Sequence, residues 1–171
     1  MHIRDAIGRK WQLSTIQVDF QMPQLFELEY TGADNTRHRP VMIHRALFGS
    51  IERFFGILVE HFAGAFPAWL APVQVRVLPL GEDHERYAEE VVDRLSAQGF
   101  RAETAPADEP LGGRIRKSKL EKLPYILVVG PDDVAHDTVG VNARGSAAPE
   151  RDVPVDEFAE RLRGEVETRS R

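Results

Sequence analysis

The sequence predicts an α+β segment followed by an α/β domain. The first part is an antiparallel meander closed by an apolar helix, and the second is a small sandwich on a mixed, mostly parallel sheet. Three observations carry this. Thr15, Gln17 and Asp19 alternate with Ile16, Val18 and Phe20, the period of a strand with one polar face. Ile51, Phe54, Phe55, Leu58, Val59 and Phe62 recur at helical spacing. Beyond Pro72, strand-like and helix-like stretches take turns, the order that builds an α/β sandwich.

In chain order, Trp11 to Phe20 reads as a strand, and Pro23 interrupts the chain soon after it. A short strand from Glu27 to Tyr30 and another from Arg39 to Ala46 flank the turn residues Gly32-Ala33-Asp34-Asn35. Ser50 is placed to cap the helix that ends near Gly64. The segment from Ala65 to Pro72 has two prolines around Trp69 and no period, so it reads as the junction between domains 1–72 and 73–171. The second domain then runs as strand Val73–Leu80, helix Glu85–Gln98 stopped by Gly99, strand Phe100–Thr104 and a basic helix near Leu111–Lys122. Strands Tyr125–Val129 and Thr138–Asn142 and a helix from Val155 toward Thr168 complete it. Pro106–Pro110 and Gly145–Pro154 read as exposed loops.

Composition narrows the chemistry. The 171 residues are 42% hydrophobic and 29% charged, ordinary for a folded protein. No apolar run approaches the ~20 residues that cross a bilayer, and charges at Arg4, Asp5, Arg9 and Lys10 replace the apolar core of a secretory signal, so a cytoplasmic location without membrane contact is expected. The absence of Cys removes thiolate nucleophiles and thiolate metal ligands. The net charge of −5 argues against bulk attraction to polyanions such as DNA. Residues 1–72 balance seven Lys/Arg against seven Asp/Glu, so the acidity lies downstream. One stretch opposes the trend: Arg114, Arg116, Lys117, Lys119 and Lys122 gather within nine residues with one acid, Glu121.

Common active-site signatures are absent. Gly112-Gly113 lacks the further residues of a phosphate loop or dinucleotide fingerprint, and Gly49-Ser50 lacks the glycine of a nucleophile elbow. A hydrolase built on His44 with Asp19 would lack an oriented nucleophile. Arg53, in the first turn of a helix where cations are disfavoured, admits either a carboxylate partner such as Glu52 or a ligand phosphate. A lone strand histidine such as His44 is more often a satisfied core residue than a metal ligand.

Three stretches change this balance: W-Q-L-S-T-I-Q-V-D-F from Trp11, P-V-M-I-H-R-A-L-F-G-S-I-E-R-F from Pro40, and A-G-A-F-P-A-W-L-A-P-V-Q-V from Ala63. Together they closely resemble the C-terminal part of bacterial threonyl-tRNA synthetases. The resemblance spans essentially the whole chain and implies the end of a class II catalytic core carrying its motif 3, then an anticodon-binding domain. It implies that Arg53 contacts the ATP phosphates, that Gln12, Thr15 and Gln17 line the threonyl-adenylate pocket with Ser50 at its wall, and that Arg53 and Gln17 serve catalysis. It implies that His44 is one of three ligands to a zinc ion, with ATP and magnesium as the other cofactors of the complete enzyme. The family's other two zinc ligands, its dimer-forming motif 1 and its motif 2 fall outside the matched stretch, so the chain alone is expected to bind none of these groups stably.

For the second domain the resemblance implies threonine tRNA as partner, with Asp108, Arg114, Arg116, Lys117, Lys119, Asp133, Asn142 and Arg144 near the anticodon loop. Asp108 and Asp133 stand where the enterobacterial pattern has Asn and Glu, and Asn142 where it has Arg, leaving Arg144 as the nearest cation. Without the resemblance, Arg114 to Lys122 reads as a solvated helix face. The expected function is the C-terminal portion of a threonine-tRNA ligase that retains anticodon recognition. The alternative is a non-catalytic tRNA-binding or regulatory module. Apolar residues kept at Trp11, Leu13, Ile16, Val18 and Phe20 favour the former.

Overall fold

A computed structural model describes residues 1–170, which divide into two compact units, Met1–Phe62 and a second beginning at Ala63. In the first, β1 (His2–Arg4) and β2 (Lys10–Gln12) form an antiparallel hairpin. The polar strand β3 (Thr15–Asp19) is succeeded by the short helix α1 (Gln21–Leu25) and by the ribbon of β4 (Tyr30–Thr31) with β5 (Arg37–His38). Then come β6 (Met42–Ala46), antiparallel to β3, and the helix α2 (Ile51–Phe62). The strand expected from Trp11 to Phe20 is broken: Leu13 is buried, and the Ser14 hydroxyl donates to the Leu47 carbonyl at 2.6 Å, so β2 and β3 take different partners. Ser50 caps α2 as its position suggests, its hydroxyl accepting the Arg53 N–H at 3.3 Å.

The second unit runs β7 (Val75–Pro79), a 3-10 turn at Glu82–His84, α3 (Glu85–Ala97), β8 (Ala102–Thr104), α4 (Leu111–Leu120) and β9 (Tyr125–Val129). It continues through α5 (Pro131–His136), β10 (Thr138–Ala143) and β11 (Glu150–Pro154) to α6 (Val155–Thr168). The sheet order is β11-β10-β9-β7-β8. β7 is parallel to β8 and β9, whereas β10 is antiparallel to both its neighbours, so the sheet is mixed with β10 reversed. Alternation sets the two faces. Val75, Val77, Leu127, Val129, Val139 and Val141 point into a core closed by Val91 and Leu95 of α3 and by Phe158 and Leu162 of α6.

The two compact units part between Phe62 and Ala63, and the expected junction segment from Ala65 to Pro72 is stapled to the second of them. Gln74, almost wholly buried, donates to the Ala68 carbonyl at 2.8 Å, and the Arg101 guanidinium donates to the carbonyls of Ala71 and Trp69. The stretch Gly145–Pro154, expected as loop, contains the edge strand β11. Its pairing carries a bulge: Val139 opposes Val153 while Val141 opposes Glu150, so Arg151 and Asp152 together face a single residue, with Asp152 at φ 56°.

Candidate nucleic-acid interface

The other sheet face carries the alternate residues, Arg76 and Leu78 of β7, Ile126 and Val128 of β9, and Gly140 and Asn142 of β10. Helix α4 packs over β7 and leaves hollows on both its sides. Between α4 and β10–β11 lie two adjoining cavities of about 300 and about 360 Å3. Lys119 and Ile126 line the first, and Leu111, Ile115, Val128 and Arg151 the second. Asn142, half-buried, lines both, and its amide makes no side-chain hydrogen bond among the described residues. On the far side of α4 a third cavity of about 330 Å3 is lined by Asp108, Arg114, Lys117 and an ionic cluster. There Arg76 pairs with Glu121 at 2.7 Å and with Glu103 at 2.5 Å.

In the first unit, Thr15, Gln17 and Asp19 share one face of β3 with His44 of β6, which lies directly opposite Gln17. His44 Nε2 is 3.0 Å from Asp19 Oδ2. The backbone N–H groups of Met22 and Gln21 and the His44 side chain hold the Asp19 carboxyl below its usual range. Gly49, at φ 66°, brings the start of α2 against β2, where a Cβ would meet the Leu13 carbonyl oxygen at 3.3 Å. Ser50 donates to Glu52 at 2.6 Å, and that bond lowers the Glu52 pKa. Arg53 and Gln12 are exposed, and Arg53 pairs with no carboxylate among the described residues.

Residues 74–165 match the family model described as anticodon binding domain, and residues 1–62 match the tRNA synthetase class II core domain of the G, H, P, S and T group. The chain belongs to the anticodon-binding domain family. It is 50% identical over 171 residues to the threonine–tRNA ligase of Caldanaerobacter subterraneus subsp. tengcongensis, covering 99% of this chain and 26% of the relative. It is 51% identical over 168 residues to that of Thermotoga maritima, again covering 26% of the relative. The chain therefore spans about a quarter of the length of these relatives. Among solved structures, the RNA binding domain of threonyl-tRNA synthetase from Cryptosporidium parvum Iowa II superposes with a TM-score of 0.83 at 32% identity, over 95% of this chain and 41% of that one. A putative threonyl-tRNA synthetase from Aeropyrum pernix gives 0.61 at 28%, over 98% of this chain and 41% of that one. The end of a class II core joined to an anticodon-binding domain is the arrangement of the C-terminal part of threonyl-tRNA synthetases.

Within the anticodon-binding domain, α4 divides the expected RNA contacts. Lys119, Asn142 and Asp133 face the grooves beside β10, whereas Asp108 and Lys117 face the cavity across the helix. Arg116 is exposed. Two expected cations are spent on the fold. Arg114 is only 4% exposed, with Nε donating to the Glu109 carbonyl at 2.9 Å and a terminal nitrogen to the Pro79 carbonyl at 2.8 Å. Arg144 donates to the carbonyls of Lys122 and Phe66, and burial lowers its pKa. Asp133 sits in the first turn of α5 and caps its start, accepting the Gly130 N–H and the Thr138 hydroxyl. Arg151, which lines the larger groove cavity, sits in a segment read as loop because Glu150-Arg151-Asp152 shows no apolar alternation.

The zinc site of the resemblance is not assembled by these residues. No group of three or more His, Asp or Glu able to hold a metal occurs among the described residues, and the Nε2 of His44 is already engaged by Asp19.

Proposed function

We propose that this chain acts as the tRNA-recognising part of a threonine-tRNA ligase, receiving the anticodon loop of threonine tRNA in the groove between α4 and β10–β11. The observation that carries this reading is the uncommitted Asn142 amide where the two groove cavities meet, inside the region matched by the anticodon-binding model. Unpaired bases of an RNA loop are read by hydrogen bonding along their edges, and an amide offers both a donor and an acceptor. Lys119 at one end of the groove supplies charge for the backbone. In the first unit, Thr15 and Gln17 on the polar face of β3 fit the lining of an adenylate pocket, and the turn at Ser50 with Arg53 at the start of α2 fits motif 3, with Arg53 placed to contact phosphate. Adenylate formation by the chain alone is not expected, since His44 supplies one metal ligand where three are required.

The reading as a synthetase part is favoured over an independent module by the other face of β3 and β6. Ile16 is 71% exposed and Phe20 64%, with Val18 and Ile43 also exposed. Two strands with an uncovered apolar face make a sheet that is marginal by itself, and a module adapted to stand apart would carry polar residues there. Filter binding with threonine tRNA and a non-cognate tRNA tests the proposal. Asn142→Ala should weaken the threonine tRNA more than the other and leave the salt dependence unchanged. Equal affinity of the parent chain for both tRNAs would refute anticodon reading.

A further inference from the structure

The cavity between α4 and β11 poses an electrostatic problem for any RNA. Of the described side chains around it, Asp132, Asp133, Asp152 and Glu150 are acidic, and Arg151 is the one cation. Arg144, the cation nearest Asn142 in sequence, is bound to two backbone carbonyls, and Arg114 is buried against two others. Arg151 is exposed and pairs with no carboxylate among the described residues, and the bulge in β11 sets it opposite Gly140, two residues from Asn142 on β10. We propose that Arg151 binds an RNA phosphate at the mouth of this cavity while the adjoining base lies over Val128 and Ile115 toward Asn142. The cation at this site comes from the bulged edge strand, not from β10 or α4. This rests on the tRNA-binding reading above and names one of its contacts.

Binding of threonine tRNA is measured by filter retention across a salt series for the full chain and for Arg151→Ala and Arg151→Lys. A charge-assisted contact to phosphate predicts roughly a tenfold loss of affinity for Arg151→Ala. The slope of log affinity against log salt should flatten by about 0.7, the value for one phosphate of a single strand. Arg151→Lys should restore the slope, because a point charge serves a phosphate. Thermal midpoints of both variants should equal that of the parent, since the side chain has no hydrogen-bond or ionic partner among the described residues. The proposal is overturned if Arg151→Ala binds like the parent, or if affinity falls while the slope stays fixed and Lys does not rescue it. Failure of the parent chain to bind tRNA would instead remove the underlying reading, a result separable from either of these.

Discussion

Replacing Arg114 by Ala separates a structural arginine from an RNA-binding one. The guanidinium makes two hydrogen bonds to the Glu109 and Pro79 carbonyls, and the residue is 4% exposed. Hydrogen bonds from a charged donor are worth about 1.5–3 kcal/mol each. Removing the aliphatic stem beyond Cβ adds roughly 0.8 kcal/mol per methylene. Against this, among the described residues the cation is buried without a carboxylate and one terminal nitrogen has no partner, so its removal recovers several kcal/mol of desolvation cost. The balance is a loss of about 3 kcal/mol for Arg114→Ala, and about half that for Arg114→Met, which keeps the stem. At roughly 2–4 °C per kcal/mol, a thermal melt should show a clear downward shift for the Ala variant and a smaller one for Met. The salt slope of tRNA binding, measured below the melting range, should match the parent. An Arg114→Ala chain that melts with the parent but binds tRNA with a flattened slope would refute the argument and return Arg114 to the interface.

Three further outcomes are expected. Lys119→Ala should flatten the tRNA salt slope by about 0.7, whereas Lys117→Ala, across α4 from the groove, should leave it nearly intact, as the same filter titration would show. A piece spanning residues 63–171 should melt above one spanning 73–171, because the shorter piece strips the buried Gln74 amide of the Ala68 carbonyl, at about 1–3 kcal/mol for a buried group left unpaired, and also takes three acceptors from the exposed Arg101. In the first unit, burial raises the Asp5 pKa, but hydrogen bonds from Trp11 and Arg9 outweigh it and hold the carboxyl at about 2. A depressed carboxylate stabilises the fold above its unfolded pKa of roughly 3.9 and loses that contribution as pH falls through about 2, so the parent should soften between these values while Asp5→Asn melts with little change over the same window. Circular dichroism melts at stepped pH decide it, and equal acid sensitivity of both chains would count against the Asp5–Arg9–Trp11 cluster.

The sequence by itself determined the elements whose side chains repeat with the period of the backbone. The strand β3, the helix α2 behind its Ser50 cap and the strand-helix order after Pro72 all appear where expected, because their side chains repeat with a period of 2 or 3.6; in the second unit the apolar phase of that period is the buried face. The short and edge elements escaped. Helix α5 has only six residues, none of them buried, and β11 carries three charged residues on an exposed edge, so neither buries enough apolar surface to leave a pattern. Residue type also announced a basic helix without saying which way each charge points. Arg114 and Lys119 are five positions apart on one helix, which turns them to different sides, one into the protein against two carbonyls and the other toward the groove. Only the packing of α4 onto β7, and the bulge that carries Arg151 to the cavity, decided which cations remain available to an RNA backbone. Those choices depend on contacts between residues far apart in the chain, which local periodicity does not record.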